Sequence, residues 1–159
     1  MIATLALWLS VVAAGLWSGL LLTLTTILHP MFVRQPGRGF ATECAHFLPI
    51  ARRSPTNYAL VILLIVAPAV ALLGLREAPS GVPFVLTAAG LVATVTTWLI
   101  SLLRSEPNYD VILSWDPDAL PNDWQQAQRR WIRLNWTRAA LTWTAFALFV
   151  LATHAHLTT

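Results

Sequence analysis

The first charged side chain in this sequence is Arg34. Everything from about Ile2 to Leu28 is one apolar run. No basic residue precedes it, and it is longer than a signal-peptide core, so it reads as a retained helix. Three more runs follow, from about Tyr58 to Leu75, from about Pro83 to Leu103, and from Ala139 to about Leu157. Each approaches the ~20 residues that carry a helix across ~30 Å of hydrocarbon. The composition agrees, with 57% hydrophobic and 11% charged residues. A water-exposed surface needs about 25% charged residues. The expected fold is all-α, a transmembrane four-helix bundle forming one domain over residues 1–159. Its helices are expected at about 2–28, 58–75, 83–103 and 124–157, the last extended back through an arginine-rich stretch. Such a chain is a multi-pass protein of the cell membrane, and the bilayer is its first partner.

Pro68 falls inside the second run and is expected to kink it, because neighbouring helices can satisfy the freed carbonyl. Pro79, Gly81 and Pro83 mark a short turn that makes the second and third helices antiparallel neighbours. Longer connections cover 29–57 and 104–127. In a four-pass chain, segments 29–57 and 104–138 share one side. They hold Arg34, Arg38, Arg52, Arg53, Arg104, Arg129, Arg130, Arg133 and Arg138, against Arg76 alone on the other side. Basic residues collect on the cytoplasmic side, so both termini are expected on the non-cytoplasmic side.

The net charge of +3 comes from these arginines. They lie at the ends of apolar runs, where lipid headgroups meet them, and no nucleic-acid partner is expected. A single cysteine, Cys44, excludes an internal disulfide and a CxxC redox pair. Gly15-x3-Gly19 permits close helix contact, within the bundle or in a homo-oligomer.

The topology brings polar residues to one mouth of the bundle. His29 closes the first helix there, and Asn57 and Tyr58 open the second. Glu106, Pro107 and Asn108 follow the third. On the fourth, Trp131, Asn135, Arg138 and Thr142 are spaced i, i+4, i+7, i+11 and share one face. Two readings of Arg138 stand open. It can snorkel to the headgroups, or it can face the bundle beside the Asn135 amide and hold an anion or polar substrate group. Trp115, Trp124 and Trp131 lie around the mouth and can line an aromatic pocket, while Trp8, Trp98 and Trp143 suit the interfacial belt. Glu43 and His46 have an i, i+3 spacing found in bundle metal sites, but only His29 offers a third ligand. No metal residue is assigned on that signature. No GxSxG, phosphate loop or dinucleotide fingerprint occurs, and no cofactor is expected.

The order Pro107-Asn108-Tyr109-Asp110, then Trp115, Asp123-Trp124 and Trp131-x3-Asn135-x2-Arg138 resembles the anthrone oxygenase-like family of small membrane proteins. The specific part of the likeness covers about residues 106–138. The first half fits more loosely, through a small-residue-rich first helix followed by His29-Pro30. The resemblance implies a four-helix bundle and a monooxygenase of polyketide biosynthesis, converting an anthrone to an anthraquinone with molecular oxygen. Its small aromatic substrate would need a base, oxyanion donors and a water-poor aromatic pocket. His29 is the candidate base. Asn108 and Asn135 are candidate oxyanion donors, and Arg138 the group for the enolate charge. Asn57, Tyr58, Trp115 and Trp131 are candidate substrate-binding residues. Two alternatives stand beside this reading. One is a non-catalytic membrane assembly or partner subunit, and the other a metal- or quinone-dependent membrane redox enzyme.

The arginine distribution carries a direct prediction. A reporter that works only outside the cytoplasm should be active when fused after Thr159, and a cytoplasmic reporter fused there should be silent. The reverse result would invert the orientation.

Overall fold

The structure, a computed structural model, describes residues 1–158; Thr159, the last residue of the expected domain, lies outside them. The described residues are helical, with no strand. Four helices are long and apolar enough to cross a membrane: α1 (Ile2–Val33), α3 (Pro55–Gly74), α4 (Val82–Leu113) and α5 (Trp124–Thr158). A shorter helix, α2 (Gly37–Arg53), lies between the first two spans. The expected all-α bundle of four spans is therefore what this multi-pass membrane chain adopts.

The spans form a ring. α1 packs against α3 and α5, and α4 packs against the same two, so α1 and α4 face each other diagonally. Small residues let the backbones approach. Ala3, Ala6, Ser10, Ala13 and Ala14 form the buried stripe of α1, and Ala139, Ala145 and Ala152 that of α5. Gly15 of the small-residue motif abuts Phe146 of α5, with the position of an added Cβ 3.2 Å from the ring. Its neighbour Gly19 has nothing within 4 Å of that position. Outward faces carry Leu5, Val12, Leu16, Val85 and Val92, the surface that lipid covers. Buried hydroxyls are turned inward on their own helices. Ser10, Thr25, Thr87, Thr94, Thr97, Thr142 and Thr153 each donate to the carbonyl four residues back. That bond satisfies a polar group that lipid cannot.

Two spans run further than the apolar pattern predicts. α1 continues through His29-Pro30 to Val33 rather than ending near Leu28, and α4 continues through Glu106-Pro107 to Leu113 rather than ending near Leu103. Both pass through a π-helical turn just before the proline, Leu24–Leu28 and Ser101–Ser105. The physical reason is the proline itself. Pro30 and Pro107 have no N–H for the carbonyl four residues back, and their rings crowd that carbonyl. Widening the preceding turn relieves the crowding. The last N–H before each proline reaches back five residues, His29 to Leu24 and Glu106 to Ser101.

The 29–57 connection is also not a plain linker. α2 places Phe40, Ala41, Cys44 and Leu48 on a buried face at helical spacing. Ion pairs hold both of its ends. Arg38 meets Asp118 at 3.1 Å, and Arg52 meets Glu106 at 2.7 Å and Asp110 at 2.8 Å. Ser54 ends α2 and caps α3, its hydroxyl accepting from the Asn57 backbone N–H at 3.3 Å.

Gly90 of α4 sets the seam with α5, because a Cβ there would collide with the buried Phe149 ring. Gly90→Ala should therefore destabilise the protein by about 1–3 kcal/mol, the usual cost of overpacking. Gly19→Ala should be close to neutral. Thermal unfolding in detergent checks the pair, and equal stability of the two variants would contradict this seam.

Candidate functional site

At the arginine-rich end the spans enclose a cavity of about 610 Å³, inside the ~300–1,000 Å³ range of sites for small organic ligands. Its walls are mainly apolar. Trp17, Leu21 and Leu24 come from α1, Val61 and Leu64 from α3, and Trp98 and Leu102 from α4. α2 closes one side with Phe47, Leu48 and Arg52, while Trp131, Asn135, Arg138 and Thr142 reach in from α5. The spacing on α5 explains the last set: one helical face carries all four.

The polar end is a connected chain. Arg138 donates through Nη1 to Tyr109 Oη at 3.2 Å and to Asn135 Oδ1 at 3.0 Å. With its oxygen accepting from Arg138, the Asn135 amide turns its nitrogen to His29 Nε2, 3.2 Å away. The tautomer follows: Nε2 accepts, so Nδ1 carries the ring hydrogen. Nδ1 itself is buried with no hydrogen-bond partner. The His29 ring packs on Trp131 with centroids 4.5 Å apart, and Trp131 stacks on Phe32 at 5.7 Å. Phe40 meets the same indole edge-on at 5.9 Å. This aromatic packing holds Trp131 and the backbone of α5 beside the cavity.

Five of the eight sequence candidates line the cavity, namely Asn57, Tyr58, Trp131, Asn135 and Arg138. Tyr58 is an exposed rim residue, and Asn57 uses its amide to bond the Ala51 carbonyl at 3.0 Å, tying α2 to α3. The other three stand outside it. His29 is buried behind Asn135 rather than on the wall. Asn108 donates to the Ala127 carbonyl at 3.1 Å and joins the end of α4 to the start of α5. Trp115 packs against Phe40, with centroids 6.4 Å apart. Trp98, which the sequence gives to the interfacial belt, is exposed and also lines the cavity. Sequence reasoning assigned no role to Tyr109 or Arg52. Tyr109 was hidden because the apolar run stops at Leu103 and the third helix was expected to stop with it. Continued past Pro107, α4 carries Ser101, Ser105 and Tyr109 at steps of four.

The charges at the cavity are unequal. Arg52 and Glu106 neutralise each other on its wall, and Arg138 has no carboxylate partner among the described residues. Glu43 and His46 are exposed on α2 while His29 is buried. Among the described residues no three His, Cys, Asp or Glu side chains gather as a metal set.

Cys44 lies outside the spans, fully buried under α2. Burial, with the neighbouring Glu43 charge, pushes its thiol up to about 12. The thiolate is the reactive form. Cys44 in the folded protein should therefore resist a maleimide at pH 7 and react only after denaturation. Rapid labelling of folded protein would show that α2 does not stay docked.

No family model matches this chain, and no curated protein or solved structure matches it either.

Proposed function

We propose that the chain is an oxygenase working within the membrane, converting the ring methylene of an anthrone-type, polyketide-like aromatic substrate to a carbonyl with molecular oxygen. In this reading it lies in the cell membrane with its arginine-rich end towards the cytoplasm. The observation that carries the reading is the largely apolar cavity whose polar end offers Arg138, Asn135 and Tyr109. Such a place suits a flat apolar body with one oxygen that becomes negative during reaction.

The chemistry balances with substrate and oxygen alone. Loss of a proton from the ring methylene gives an aromatic phenolate, which supplies the electrons. A carbon–oxygen bond forms at the former methylene carbon, giving a hydroperoxide. Loss of water then leaves the carbonyl, so one oxygen atom is retained and the other departs as water. Arg138 holds the phenolate charge through a planar set of donors. Asn135 is fixed from both sides, by Arg138 at its oxygen and by His29 at its nitrogen. His29 acts here as a positioning residue. Glu106, the carboxylate on the cavity wall, takes the proton towards the arginine-rich end. Trp131 and Trp17 supply flat apolar walls that keep water from the anion.

Oxygen uptake by the purified protein with an anthrone tests the reading. Asn135→Ala should lower kcat by ~10²–10³, the usual effect of losing one oxyanion donor. Arg138→Lys should also impair turnover, because a point charge replaces the fork of donors. A fully active, well-folded double variant would refute the assignment.

A further inference from the structure

We infer that this cavity takes its ligand as a monoanion, recognising an acidic phenol or enol by drawing it into the ionised form. The inference deepens the oxygenase reading by naming the state in which the site binds, and it rests on the same cavity.

Several donors at the polar end of the cavity have no acceptor. Arg138 spends Nη1 on Tyr109 and Asn135, while its Nε is buried with no partner. Tyr109 Oη accepts from Arg138, and its own hydrogen meets no acceptor among the described residues. One hydrogen of the Asn135 amide goes to His29, leaving the other. The wall hydroxyls add no further donor, since Thr94, Thr97, Ser101 and Thr142 each donate to a backbone carbonyl of their own helix. The end of the cavity thus holds several spare donors and an uncompensated positive charge.

None of the other charged groups at the cavity ion-pairs with Arg138, although Arg52, Glu106 and Asp110 together carry one net negative charge. Glu106 is held by Arg52, which also binds Asp110. Tyr58 stands exposed at the rim, and His29 lies behind Asn135. A neutral ligand would leave Arg138, half-buried at the cavity wall, without a counter-charge. A monoanion compensates it and fills the spare donors together. A cation within about 4–6 Å lowers the pKa of an acid by about 1–3 units. A bound phenol should show that shift as a change of colour.

The probe is a hydroxyanthraquinone whose visible spectrum reports ionisation, titrated under argon with the protein in phosphatidylcholine nanodiscs. Empty nanodiscs give the reference midpoint. The bound dye should ionise at least about one pH unit below that reference. Arg138→Gln should abolish the shift while still binding unsubstituted anthraquinone, which confirms an intact cavity. If that variant does not fold, Arg138→Lys serves: it keeps the charge and should keep the shift. Tyr109→Phe should reduce it.

A dye that fails to bind, or ionises at the reference midpoint, overturns the inference. So does an unchanged shift in Arg138→Gln. A lipid phosphate is the rival monoanion, so phosphatidylglycerol is then added to the nanodiscs. A midpoint that stays low supports the phenolate site; one that returns to the reference value assigns Arg138 to lipid and overturns it. Because no oxygen is present, the two readings fail separately. Dye ionisation without anthrone-dependent oxygen uptake sinks the oxygenase alone, and uptake without dye ionisation sinks this inference alone.

Discussion

A proline removes a hydrogen-bond donor, and hydrocarbon offers no water to replace it. That constraint acts inside the spans at Pro30, Pro68 and Pro107, and the site depends on how it is met at Pro30 and Pro107. Each of these two helices widens by one π turn before its proline and then continues. The widening also corrects the phase. In an ideal α-helix a step of four residues overshoots a full turn by about 40°, so repeated steps walk off the face. Leu21, Thr25 and His29 nevertheless remain buried, at successive steps of four through the turn. On the diagonal helix Thr97, Ser105 and Tyr109 are likewise buried at such steps, with Ser101 half-buried among them. Without the wider turns, His29 would rotate away from Asn135 and Tyr109 away from Arg138.

The spans were legible because lipid demands long apolar runs, and charge is costly within them. The helix ends were not, because a helix can outlast its apolar run. The runs stop at Leu28 and Leu103, where His29 and Arg104 follow, so those residues look like stopping points. Within a bundle in lipid, leaving the helix exposes more unsatisfied backbone than widening it does. α2 escaped notice for another reason. Gly37, Gly39 and Pro49 disfavour a helix in isolation. Its buried stripe of Phe40, Cys44 and Leu48 becomes meaningful only against Trp131 and Tyr109, which are remote in sequence.

The candidate site shows the same division. Periodicity on one helix placed Trp131, Asn135 and Arg138 on a common face, and the bundle brings that face to the cavity. Periodicity cannot tell a wall residue from one behind it. His29, Asn108 and Trp115 belong to the same end of the molecule, yet each is used in joining elements rather than lining space. That depends on the distance between helices, which sequence spacing does not encode.

The order of elements along the chain bears on biogenesis. The first three spans leave the ribosome before α5, so for a time the bilayer holds three walls of a cavity without Arg138 and Asn135. Arg52, Glu106 and Asp110 precede that helix and can pair among themselves. His29 must wait for Asn135, which lies 106 residues further on. The last helix to be made thus brings Arg138 and Asn135 to the cavity together, and an unfinished chain has its walls without that pair.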